Sequence, residues 1–165
     1  MNVVIANRQR TKKINARQLK KIVRALFGEL NIQEAELGIH LVGAREMARV
    51  NEAFLQHEGA TDVITFDNDE SGSPAGGAHG VTRPTIHGEL FICVDVAVTQ
   101  AKEFKSSWQA EVVRYVVHGV LHLLGYDDLK PQLRRKMKRE ENRLVRRLTG
   151  KFSFAELSRA VKMSS

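Results

Sequence analysis

The residues whose types and spacing could do chemistry lie in one stretch, His118-Gly119-Val120-Leu121-His122-Leu123-Leu124-Gly125-Tyr126-Asp127-Asp128. Two histidines four residues apart share one helix face, a turn apart, so their imidazoles can converge on one point. Gly125 follows where a glycine in the left-handed conformation can end the helix and fold the chain back. The returning chain carries Asp128 toward the histidine face. Two neutral imidazoles and a carboxylate are three ligands that zinc accepts while a fourth position stays open for water. A metal held that way polarises a bound oxygen or acidifies water, which is the chemistry of hydrolysis.

By itself H-x3-H is a weak signal, because a histidine on an apolar helix is more often a core or capping residue. The flanks sharpen it. Val112, Val113, Tyr115, Val116, Val117, Val120, Leu121, Leu123 and Leu124 make the helix apolar on nearly every side, so it is expected to be buried. Buried imidazoles need partners for their ring nitrogens, and a metal supplies one for each. Zinc proteases of the H-E-x-x-H type place a general base directly after the first histidine; this chain has Gly119 there, which argues against peptide hydrolysis. A residue without a side chain at that point lets a neighbouring element pack closely, at about 1 kcal/mol of helix propensity.

His118 to Asp127 resembles the signature H-G-x-L-H-L-x-G-Y-D of the YbeY family, single-domain metal-dependent endoribonucleases and rRNA maturation factors. Asn51 and Phe54, then Thr61-Asp62-Val63-Ile64-Thr65-Phe66, are similar to the family's N-x-x-Y/F and T-D-V-L-S-F segments, and Gly88-Glu89-Leu90-Phe91-Ile92 to its G-D-I strand. The resemblance covers about residues 1 to 150, with 151 to 165 as a C-terminal extension. It implies a single-strand-specific endoribonuclease of the cytoplasm, acting in maturation of the 16S rRNA 3′ end and in ribosome quality control. One zinc ion per chain would be held by His118, His122 and Asp128, which would also be the catalytic residues. The implied partners are rRNA and ribosomal particles, with no DNA and no membrane.

Two departures bear on that implication. The family signature ends in a third histidine where this chain has Asp128, a harder ligand that changes the metal's affinity and the acidity of its water. The family's arginine after the aromatic of N-x-x-Y/F, taken to act on the RNA phosphate, is Leu55 here. The rival readings are a catalytically weakened ribosome-assembly factor with a structural metal, and a metallohydrolase acting on another substrate.

The elements that must position these residues alternate strands with helices. Asn2 to Asn7 reads as a strand, and Ala16 to Leu30 as an amphipathic helix through Leu19, Ile22, Val23, Leu26 and Phe27. Glu36 to Val42 alternates apolar and polar residues, a half-buried strand with His40 on its polar side as a surface residue. Ala44 to Leu55 is expected as a helix with Met47, Val50 and Phe54 inward. A loop over 57 to 60 precedes a strand from Asp62 to Phe66, where Thr61 and Asp62 suit bonds to backbone groups.

Residues 67 to 87 shift to Asp, Ser, Gly, Pro and Ala, a loop whose His79 and His87 read as solvent-exposed. Gly88 to Asp95 is apolar enough for a central strand, and Val96 to Phe104 continues as a helix. Ser106-Ser107 caps the histidine helix, and Glu111 near its start suits the positive end of the dipole. Pro131 fits the first turn of a last helix running to about Leu148, with Leu133, Met137, Leu144 and Leu148 as a thin apolar stripe. Phe152, Phe154, Leu157 and Val161 recur at near-helical spacing in the extension.

Composition agrees with one domain. The chain has 165 residues, enough for a single core. Its one cysteine, Cys93, excludes a disulfide framework and reads as a small buried hydrophobe, in keeping with a reducing cytoplasm. No stretch approaches the roughly 20 apolar residues of a membrane span, and Met1 to Lys13 lacks a signal-peptide core. Lys and Arg number 26 against 19 Asp and Glu, a net charge of +7 that points to a polyanionic partner. The basic residues crowd 8 to 21 and 130 to 151, with Glu140 and Glu141 the only carboxylates in the second block. The expected architecture is one α+β domain, a sheet of about four strands covered by helices with the metal-bearing helix buried at its centre.

Overall fold

The computed structural model describes residues 1–55, 59–68 and 85–159. Strands β1 (Asn2–Asn7), β2 (Glu34–Val42), β3 (Val63–Asp67) and β4 (Thr85–Cys93) form one sheet in the order β1-β2-β4-β3. β1 and β2, and β2 and β4, pair in parallel; β3 runs antiparallel to β4 along an edge. Helices are α1 (Ala16–Glu29), α2 (Ala44–Val50), α3 (Val94–Glu103), α4 (Trp108–Leu123) and α5 (Pro131–Lys151).

Alternation along the strands sends one set of side chains into the main core. In β2 these are Ala35, Leu37, Ile39 and Leu41, and in β4 Ile86, Leu90 and Ile92, all 5% exposed or less. β4 lies between β2 and β3, as its apolar run implied. α1 buries Leu19, Ile22, Val23, Leu26 and Phe27 against the same core, its first turn capped by Asn15, whose side chain accepts from the Gln18 N–H at 3.1 Å. On the other side of the sheet Met47 of α2 packs with Val42, Ile64 and Cys93, so Cys93 is a buried free thiol.

α4 passes through the centre of the main core, with ten residues buried along its length. Ser107 caps it by accepting from the Ala110 N–H at 3.1 Å. Glu111 is itself buried and accepts a hydrogen bond from the Ser106 hydroxyl at 2.7 Å, a more specific role than complementing the helix dipole. Gly119 faces β4: a Cβ there would meet Leu90 Cδ2 at 2.6 Å. Leu90 has no exposed surface, so its side chain would have to shift within the packed core. Gly119→Ala is therefore expected to lose about 1–3 kcal/mol to overpacking against roughly 1 kcal/mol of helix propensity gained. The net effect is a lower denaturant midpoint with an unchanged slope.

Several boundaries differ from the sequence reading, each for a physical reason. The helix expected over Ala44 to Leu55 is α-helical only to Val50 and then makes a π turn, Asn51–Leu55. The wider turn rotates the apolar stripe, so Phe54 is 67% exposed instead of facing inward. β4 begins at Thr85, which puts His87 on a strand, exposed and 3.6 Å from Glu36, and not in a loop. The strand ends at Cys93, two residues early, because α3 starts directly at Val94. His40 is not a free surface residue: it stacks on Phe91 at 4.3 Å between Arg8 and Glu89. Leu133 is 37% exposed and contributes little to the stripe of α5, whereas Val145 is buried in it. After α5 a short 3-10 turn, Phe154–Ser158, buries Leu157, and the Asn15 N–H donates to the Leu157 carbonyl at 2.7 Å. His79 and the remainder of its loop, residues 69–84, lie outside the described residues, as do residues 56–58 and 160–165.

Candidate metal centre

The end of α4 is built to deliver three donors to one place. Gly125 takes a φ of 101°, the left-handed conformation that its type allows. Its N–H donates to the His122 carbonyl at 3.0 Å, and the Tyr126 N–H to the Leu121 carbonyl at 3.0 Å. This pair of bonds closes the helix as a Schellman motif. The turn does two things for the site. It brings the Tyr126 carbonyl to 3.1 Å from His122 Nδ1, and it returns the chain so that Asp128 faces both histidines. Asp127 points elsewhere, its carboxylate accepting from the Leu129 N–H at 2.9 Å.

The donor atoms converge at metal-ligand spacing. His118 Nε2 and His122 Nε2 are 3.1 Å apart, and Asp128 Oδ2 is 3.9 and 3.5 Å from them. Tetrahedral ligands at about 2.0–2.1 Å from an ion stand about 3.3 Å from one another. The protonation pattern points the same way. His118 Nδ1 is 2.7 Å from Glu141 Oε1 and His122 Nδ1 faces a carbonyl, so each Nδ1 carries the ring hydrogen and donates it. The two Nε2 atoms then face each other and the Asp128 carboxylate. Such a group could hold a metal ion. His118, His122 and Asp128 form the group of metal-capable side chains found among the described residues. Their side chains are 30, 25 and 40% exposed, so solvent reaches the group.

Glu141 is the residue that sequence reasoning missed. Its side chain is 3% exposed and accepts from His118 Nδ1, from Arg114 Nη1 at 2.7 Å and from Lys138 Nζ at 3.0 Å. Burial alone would raise its pKa and is the largest single influence, but the hydrogen bonds from His118, Lys138 and Arg114 together outweigh it and hold the carboxyl at about 2. At neutral pH it is an anion behind His118, fixing the ring's tautomer and orientation.

Two clefts meet at the three donors. The larger, about 730 Å³, is lined by His118, Asp128, Glu141, Arg114, Arg134 and Lys138 among others; the smaller, about 330 Å³, by His118, His122, Asp128, Asp62, Leu55 and β3. Asp62 borders both, and its Oδ1 accepts from the Val63 N–H at 2.8 Å, the backbone role its type suggested. Asn51, buried, donates to the Gly59 carbonyl at 2.8 Å and so ties down the far end of the next loop. Leu55 lines the smaller cleft, an apolar side chain where the family resemblance implied a cation.

The basic block of α5 is partly neutralised by partners that lie far away in sequence. Arg147 and Lys151 both bond Glu29 of α1, whose pKa their hydrogen bonds pull down to about 2. Arg143 pairs with Glu140. Lys130, Arg134, Arg135, Lys136, Arg139 and Arg146 have no carboxylate partner among the described residues.

Fold and site together define a single-domain α+β protein in which two histidines of a buried helix and an aspartate just after it could hold a metal ion beside a cleft bordered by basic residues. A family model described as endoribonuclease YbeY matches residues 4–149. The chain is 34% identical over 139 residues to the endoribonuclease YbeY of Chlorobium phaeovibrioides, covering 84% of this chain and 86% of that one. It is 32% identical over 135 residues to that of Salinibacter ruber, covering 82% and 84%. The solution structure of a Thermotoga maritima protein superposes with a TM-score of 0.64 over 90% of both chains at 22% identity, a likeness of fold. The chain belongs to the YbeY endoribonuclease family.

Proposed function

We propose that this protein is a metal-dependent endoribonuclease specific for single-stranded RNA, and that it acts in rRNA maturation at the 16S 3′ end and in ribosome quality control. The observation that carries the reading is the convergence of two histidines and an aspartate at metal-ligand spacing beside an open cleft, in a chain of this family. His118, His122 and Asp128 would hold the metal, and the two-nitrogen, one-oxygen donor set suits zinc. A bound zinc ion supplies Lewis acidity to a phosphodiester and acidifies a water near it.

The chain's own residues do the rest. Glu141 and the Tyr126 carbonyl engage both Nδ1 atoms and so aim both Nε2 atoms into the cleft. The cations of α5 without carboxylate partners offer an electrostatic surface for the RNA backbone, and rRNA and ribosomal particles are the partners this surface suits. Residues 1–150 would form the catalytic domain with 151–165 as an extension. No helix among the described residues is long and apolar enough to cross a membrane; a cytoplasmic site of action goes with an RNA substrate.

The test is elemental analysis of the purified chain together with cleavage of a labelled single-stranded rRNA 3′ fragment, before and after chelation. About one zinc per chain, with cleavage lost on chelation and restored by zinc, is the expected result. Stoichiometric zinc with the RNA left intact points to a ribosome-assembly factor whose metal is structural. Absence of any bound metal sinks the reading of the three donors.

A further inference from the structure

A phosphodiester brought to the three donors carries a negative charge that calls for a cation beside it. Leu55, Val63, Ile64 and Thr65 wall the smaller cleft and supply none. Among the described residues, the larger cleft is lined by three cations, Arg114, Arg134 and Lys138. Two of them are already engaged by a carboxylate, since Arg114 Nη1 and Lys138 Nζ lie 2.7 and 3.0 Å from Glu141 Oε2, and Arg114 Nη1 also donates to Asn142 at 2.8 Å.

Arg134 differs. Among the described residues it has no carboxylate partner, and its side chain makes one hydrogen bond, from Nε to the main-chain carbonyl of Asp128 at 3.2 Å. That bond ties the inner nitrogen of the guanidinium to the backbone of the third donor residue. Neither Nη group has a protein acceptor among the described residues. Both remain available to a ligand, and the backbone beneath them is fixed where the Arg134 N–H donates to the Lys130 carbonyl at 2.8 Å in the first turn of α5.

We propose that Arg134 is the phosphate-binding residue of this site, its two Nη groups gripping the non-bridging oxygens of a phosphodiester in the cleft beside His118, His122 and Asp128. The planar fork of a guanidinium matches two phosphate oxygens, a geometry that an ammonium cannot reproduce. The inference rests on the reading of the site as one that acts on RNA, and it names the group that holds the substrate there. A purely structural role for Arg134, latching the segment that carries Asp128, predicts a different outcome.

The experiment compares wild type, Arg134→Gln and Arg134→Lys as zinc-loaded full chains. Two readouts are taken: binding of inorganic phosphate by calorimetry, and cleavage of single-stranded RNA across a salt series. Arg134→Gln is expected to weaken phosphate binding by roughly 5- to 100-fold and to lower kcat by about 10²-fold. The salt slope should fall by about 1, with zinc content and affinity unchanged. Arg134→Lys should recover part of the phosphate affinity and little of kcat. Phosphate binding equal in wild type and Arg134→Gln overturns the proposal. A loss of zinc affinity in Arg134→Gln that accounts for its lost activity overturns it too, in favour of the latch. Arg134-dependent phosphate binding by a wild type that leaves RNA intact supports the phosphate site and removes the RNA reading instead.

Discussion

Replacing Glu141 with glutamine is expected to lower the stability of the metal-free protein by up to about 3 kcal/mol at neutral pH and to weaken zinc binding roughly tenfold. The carboxyl is nearly inaccessible and its pKa is pulled from 4.5 to about 2, with three donors overcoming the penalty of burial. A group whose folded pKa lies below its unfolded value stabilises the fold above the unfolded value, and that stabilisation is lost as pH falls through the folded one. The gap between wild type and Glu141→Gln should thus be full above about pH 5 and close as the pH falls from 4.5 toward 2. Urea titrations at several pH values measure it. A gap independent of pH would mean that glutamine merely packs badly and that the charge contributes nothing. The amide oxygen can still accept from His118 Nδ1, so the loss of zinc affinity is set at the lower end of the range for such outer partners. Glu141→Leu, which removes the acceptor altogether, should lose more zinc affinity than Glu141→Gln.

The contrast between Glu141 and the two histidines shows which parts of the site can be read from a sequence. His118 and His122 are linked by helix geometry alone, and the turn at Gly125 is a local event closed by bonds within five residues. Glu141 reaches His118 across 23 residues and from another helix, and beside Glu140 in a basic block it resembles one more solvated charge. One signal was present. Met137, Glu141, Leu144 and Leu148 follow helical spacing, so a carboxylate stands in the apolar stripe of α5, where an unpaired charge would be costly. The strands were legible, β2 from its alternation and β4 from its apolar run, but not the order β1-β2-β4-β3, because the placement of β3 on the outer side of β4 depends on pairing between distant segments. The charges of α5 illustrate the same limit: Glu29, which engages Arg147 and Lys151, is more than 100 residues away.

Alanine at His122 is expected to abolish zinc retention and RNA cleavage together while the metal-free fold survives almost unchanged. The ring is a quarter exposed and its structural bond is the one to the Tyr126 carbonyl, so its removal costs about 1 kcal/mol. For the metal the loss is far larger, because two donors remain of three and Asp128 Oδ2 stands 3.9 Å from His118 Nε2, the widest pair in the group. Melting curves with and without zinc separate the two effects. A ligand that binds only the folded state at 100 times its Kd adds about 2.7 kcal/mol. In a chain of this size that raises the midpoint by roughly 5–10 °C. Wild type should show that shift and His122→Ala none, while the two melt within a few degrees of each other in chelator. Asp128→Asn should fall between them, since the amide keeps the shape and one oxygen donor but removes the negative charge that offsets the ion's. A His122→Ala protein that retains stoichiometric zinc and its thermal shift would place the ion elsewhere in the chain, and the three converging acceptors would then need a proton instead of a metal to hold them together.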